Sequence, residues 1–149
     1  MRNARSFWST ERAIAFAIVA LCGAVLLVGW WLEPDAAGVG THRQLGLGSC
    51  SVLSKTGWPC PMCGMTTTFA LGLDGRLLAA WQNQPFGVFL LTSTVSAFLV
   101  AFCELVRPAA RLTRGWAWVE RHDSVVAAAL LLGLTFGWLY KCWILGVFS

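Results

Sequence analysis

Cys60 and Cys63 stand two residues apart in the stretch Trp58-Pro59-Cys60-Pro61-Met62-Cys63-Gly64-Met65-Thr66-Thr67-Thr68, and Cys50 precedes them by ten positions. Vicinal thiols of this kind can form a staple, a metal clip or a redox pair. Pro61 removes an amide donor between the cysteines, and Pro59 drives Trp58 toward an extended backbone, so the loop is expected to be stiff. A helix opening near Gly64 to Thr66 would present free amides and a positive dipole end, favouring a thiolate at Cys63 or Cys60. Thr66, Thr67 or Thr68 would cap that end. Haem attachment requires histidine directly after the second cysteine, and Gly64 is there instead.

Three bonded arrangements follow from these residue types, beside a fourth reading as a cysteine cluster with no bond at all. A structural disulfide would join Cys50 to Cys60 or Cys63 and close a loop of about ten residues. A metal site would draw on Cys50, Cys60 and Cys63 with either Cys142 or His42, and zinc is the ion such ligands suit. A redox site would exchange electrons through Cys60 and Cys63, with Cys50 as the shuttle.

The elements that must position these thiols are membrane helices. The chain has 149 residues, of which 57% are hydrophobic and only 12% charged, too little polar surface for a water-soluble domain. Apolar runs at about 13–32, 86–106 and 125–147 each match the hydrocarbon thickness at 1.5 Å per residue. The first run ends in Trp30 and Trp31, a headgroup-level boundary, and reads as a span rather than as a cleaved leader. Between the first two spans lie a cysteine loop at 33–64 and an amphipathic interfacial helix at about 65–83, weakened by Gly72 and Gly75 and ended by Pro85. The fold class is therefore all-α: a polytopic integral membrane protein with three transmembrane helices and one short interfacial helix, forming a single membrane domain over 1–149.

Charge sets the orientation. Arg2, Arg5, Arg12, Arg107, Arg111, Arg114 and Arg121 share one side of a three-span topology, whereas the long loop holds only Arg43, Lys55 and Arg76. The positive-inside rule then puts the N-terminus in the cytoplasm and the cysteine loop outward, in a bacterial inner membrane. Seventeen residues of helix beyond Val125 would lift Cys142 by about 25 Å toward the same outer face. Cys22 and Cys103 are expected to be packing residues. Glu104 is expected to reach the headgroups, and Lys141 to snorkel there. Thr92, Ser93, Thr94 and Ser96 are expected to bond back to helix carbonyls or across to a partner helix. The net charge of +4 comes with no basic stripe interleaved with stacking aromatics, which argues against nucleic acid as a partner.

A loop cysteine, then G-x-x-C-P-x-C-G-x-T, a short helix with glycine and alanine, and a proline opening a span together resemble the bacterial membrane family catalogued as domain of unknown function 2752. The residues that carry the resemblance are Cys50, Gly57, Cys60, Pro61, Cys63, Gly64, Thr66, Gly75, Ala80 and Pro85, over about Cys50 to Leu91. The chain departs from the family pattern at Thr67, where arginine is common, and at Gln84, where asparagine is common. The resemblance implies a small multi-helix membrane protein and carries no established activity. The expected role is a membrane scaffold or accessory subunit whose cysteine loop is structural or metal-held, with the lipid bilayer and a membrane-protein partner or second copy as its contacts. The alternative is a membrane thiol–disulfide oxidoreductase using the C-P-M-C pair.

Overall fold

In a computed structural model, residues 4–147 are described, with side chains from Thr10 onward; Arg2 and the side chain of Arg5, used in the charge argument, lie outside that description. All the regular elements among these residues are helical: α1 (Ala4–Trp31), a 3-10 turn (Thr41–Leu45), α2 (Ser51–Thr56), α3 (Met65–Leu73), α4 (Leu77–Asn83), α5 (Pro85–Val106), α6 (Arg111–Arg121) and α7 (Asp123–Ile144). Among the described residues three stretches are long and apolar enough to cross a membrane: Thr10–Trp31, Pro85–Val106 and Asp123–Ile144. Each has 22 residues, or about 33 Å of helix at 1.5 Å per residue. Most of their large apolar side chains point outward, including Leu21, Leu27, Leu99, Phe102, Leu131 and Leu132. Lipid rather than a protein core must cover such surfaces.

α1 packs most extensively on α5, and α7 packs on α5. The C-terminal ends of α1 and α7 and the N-terminal end of α5 lie at one end of this bundle, where α3 rests on α1 and α5, and α4 rests on α3 and α5. Thr92, Ser93 and Thr94 return their hydroxyls to the carbonyls of Val88, Phe89 and Leu90, so these polar side chains are satisfied within their own helix.

Several local expectations need correction. The segment 65–83 is two helices, because Arg76 N bonds back to Leu71 O and Gly75 takes φ 79°, a turn that glycine makes without Cβ strain. The 33–64 region contains the 3-10 turn and α2 as well as loop. Beyond α5 the connector is helical. Glu104 does not reach for headgroups: it is 1% exposed and accepts from the amides of Ala109 (2.6 Å), Ala110 (2.8 Å) and Arg111 (3.0 Å). A single carboxylate thus satisfies three amides at the start of α6, where Ala110 carries φ 53°. Cys103 is exposed rather than packed, and Cys22 is half-buried.

Candidate metal centre

The turn that carries Pro59 and Pro61 is held by side chains from α7, from the end of α4 and from the entry to α5. Trp138 Nε1 of α7 donates to Pro59 O at 2.7 Å, and Gln84 Nε2, at the entry to α5, donates to Pro61 O at 3.4 Å. Asn83 Nδ2, at the end of α4, donates to Gly64 O at 3.0 Å and to Thr68 Oγ1 at 2.8 Å. Cys63 N closes the turn onto Cys60 O at 2.9 Å. Proline restricts the loop's choices; the bundle then selects one.

The result brings three sulfurs together. Cys60 Sγ lies 3.3 Å from Cys63 Sγ, Cys63 Sγ lies 3.5 Å from Cys50 Sγ, and all three fall within 4.8 Å of one another. All are thiols. Cys142 is not part of this group: it is fully buried on α7 and presents its neighbour Lys141, not its own sulfur, to the loop. His42 lines the same cavity as the three cysteines, about 380 Å³ in volume, and its Nε2 lies 3.2 Å from Gly48 O. Arg43, Thr66 and Thr67 also line it.

The electrostatics are asymmetric. The backbone amide of Leu53, in the first turn of α2, is the main influence pulling the Cys50 thiol down to about 7, helped by hydrogen bonds from Cys63 and Cys60 and opposed by burial. Burial pushes the Cys63 thiol up to about 12, and its hydrogen bonds with Cys60 and Cys50 add to the rise. This asymmetry favours a thiolate at Cys50 over one at Cys63, against the expectation for Cys63 at the mouth of α3. Cys63, only 6% exposed, stands between its two neighbours, accepting from Cys60 Sγ and donating to Cys50 Sγ.

The threonines do not cap α3. Gly64 occupies that position at φ 87°, with no side-chain cap, and Thr68 N bonds to Gly64 O at 2.8 Å. Thr67 and Thr68 are fully buried and tie α3 to other segments, Thr67 through Thr41 at 2.8 Å and Thr68 through Asn83. Gly64 also has no room for a side chain: a Cβ there would sit 2.9 Å from Gly38 O and 3.1 Å from Lys141 Nζ. Of the other motif residues, Gly57 ends α2 at φ 73°, Ala80 is fully buried, and Pro85 starts α5 in the first helical position.

The family model described as "Protein of unknown function (DUF2752)" matches residues 50–98. The family segment thus opens at Cys50, contains every residue of the sulfur cluster, and closes within α5. No curated protein and no solved structure matches the chain. Asn83 and Gln84 lie inside the family segment; Trp138 and Lys141, which complete the loop's support, lie outside it.

Lys141 overturns the snorkelling expectation. Its side chain is 1% exposed, and its Nζ donates to Asn83 Oδ1 at 2.7 Å, Gly38 O at 3.0 Å and Asn83 O at 3.4 Å. The sequence offers a signal for this role in a lone cation within an otherwise apolar helix. Asn83 and Trp138 carry no comparable signal, because each gains its function only from a turn brought to it by distant sequence.

Proposed function

We propose that the chain is a small inner-membrane scaffold or accessory subunit whose cysteine loop is held by a soft metal ion of the zinc class on Cys50, Cys60 and Cys63. The observation that carries this reading is the convergence of three sulfurs rather than two. A disulfide uses two cysteines and leaves the third without a bonding role. A tetrahedral ion with Zn–S bonds of about 2.3 Å needs sulfurs about 3.8 Å apart, and the 3.3 and 3.5 Å separations require only small outward shifts to reach it. His42, on the wall of the same cavity, is the candidate for the fourth position. The charge asymmetry supports a cytoplasmic N-terminus and a loop on the outer face, where it would dock a membrane partner or a second copy of the chain.

Metal analysis of detergent-purified, reduced protein tests this. The reading predicts one zinc-class ion per chain, lost in Cys60→Ser and in Cys63→Ser together with a lower melting temperature. A metal-free protein carrying a Cys60–Cys63 bond that mild reductant opens would instead favour a thiol–disulfide oxidoreductase.

One observation favours that second reading: Cys63 Sγ is adjacent to both other sulfurs. A Cys50 thiolate could attack Cys63 in a Cys60–Cys63 disulfide, forming Cys50–Cys63 and releasing the Cys60 thiolate with no net change in electrons. Regenerating the disulfide from two thiols would require a two-electron acceptor of the quinone class, which would leave as the quinol with two protons.

A further inference from the structure

Lys141 presents an unusual combination for a membrane helix: nearly complete burial, a positive charge, and no carboxylate paired with it among the described residues. Its acceptors are one amide oxygen and two backbone carbonyls. Neutral dipoles solvate a cation only in part, and an uncompensated charge in a low-dielectric setting is costly. Asp35 and Arg76 share a cavity of about 360 Å³ with Lys141. Asp35 does not serve as its counter-ion, because its oxygens are taken by Arg43 Nη2 and Ala37 N, each at 2.9 Å. Arg76 adds positive charge.

On the other side of Lys141 is the turn that follows Cys63. A methyl group placed on Gly64 would lie 3.0 Å from Lys141 Cε and 3.1 Å from Nζ, so the ammonium rests directly against the backbone carrying the central sulfur. Of the other nearby cations, Arg43 is ion-paired to Asp35 at 2.9 Å, and Lys55 and Arg76 are exposed.

We propose that Lys141 is the buried counter-charge of the cysteine cluster, a positioning residue on the third span that offsets the negative charge of a three-thiolate metal centre. This rests on the metal reading above. Three thiolates around a divalent ion leave one net negative charge, and one ammonium beneath the loop restores neutrality without contacting the ion. The same residue ties Gly38 and Asn83 to α7, so charge compensation and loop support come from one side chain.

Cobalt(II) titration of reduced, metal-free protein in detergent, followed by the sulfur-to-cobalt charge-transfer band and by zinc competition, tests the charge role. Lys141→Met is expected to weaken metal affinity by about tenfold, as removal of an outer-shell partner does. Lys141→Arg keeps the cation and is expected to stay near the parent's affinity. Lys141→Gln keeps a hydrogen-bond donor but no charge, and is expected to weaken affinity as much as Lys141→Met. Helical circular dichroism establishes which variants are folded, and should Lys141→Met fail to fold, the Arg and Gln variants still decide. A folded Lys141→Met or Lys141→Gln with the parent's affinity, or a folded Lys141→Arg as weak as expected for Met, would each overturn the counter-charge. A parent chain that binds neither ion overturns the metal reading itself and this inference with it.

Discussion

Thr41 Oγ1 and Thr67 Oγ1 are 2.8 Å apart and neither residue has any exposed surface, so one hydroxyl pair pins the connector after α1 to the first turn of α3, beside the cysteine cavity. Thr41 Oγ1 also accepts from Asp35 N at 3.0 Å, so this one hydroxyl joins the start of the connector to α3. Thr67 stands where the resembling family commonly has arginine; here a neutral hydroxyl bond occupies that place.

Thr67→Val should therefore cost about 1–3 kcal/mol of stability, because it removes the hydroxyl partner of the fully buried Thr41. Thermal unfolding in detergent measures the loss. A double-mutant cycle with Thr41→Val should show coupling of about 1 kcal/mol, and additive effects would contradict the pairing.

At the opposite end of the bundle, Glu104 binds three successive amides at the start of α6. Glu104→Gln removes the charge and one acceptor oxygen, and is expected to speed hydrogen exchange at Ala109, Ala110 and Arg111 and to destabilise the fold by about 1–3 kcal/mol. Metal affinity should not change, since the cysteine loop is at the other end of α5. Exchange rates equal to those of the parent would show that α6 is held by something else.

The two perturbed thiols predict an order of reactivity in reduced, metal-free protein. Thiolate is the reacting form and its fraction grows as pH rises through the pKa. Cys50, pulled down to about 7 chiefly by the Leu53 amide, should reach half-maximal alkylation by iodoacetamide near neutral pH. Cys63, pushed up to about 12 by burial, should stay unmodified across the range in which Cys50 reacts. Peptide mapping of the alkylated protein as a function of pH reads this directly, and preferential labelling of Cys63 would contradict the geometry of the cluster.

The spans were legible because each depends on a local property, a run of apolar residues as long as a bilayer is thick, and Trp30 and Trp31 mark an end of one in the sequence itself. The cysteine cluster was legible for a similar reason: Cys60 and Cys63 are neighbours along the chain, and Cys50 is only ten positions away. What holds the cluster was not. Lys141 is 103 residues from Gly38, and Trp138 is 79 residues from Pro59, so their roles arise from tertiary packing. General rules pointed the wrong way at Glu104 and Lys141, because a charge near a helix end usually finds water, and here backbone amides and carbonyls reach it first. Thr67 and Thr68 misled for a further reason. Gly64 at φ 87° supplies the turn into α3, which frees both threonines to bond with other segments.

X-ray absorption at the metal edge of the purified, reduced protein shows whether three sulfurs of this loop share one ion. One zinc-class ion per chain, with three sulfur neighbours at about 2.3 Å and one lighter donor, is the expected shell. A shell with no sulfur, or a protein that carries no metal while Cys60 and Cys63 cycle between thiols and a disulfide, would contradict it.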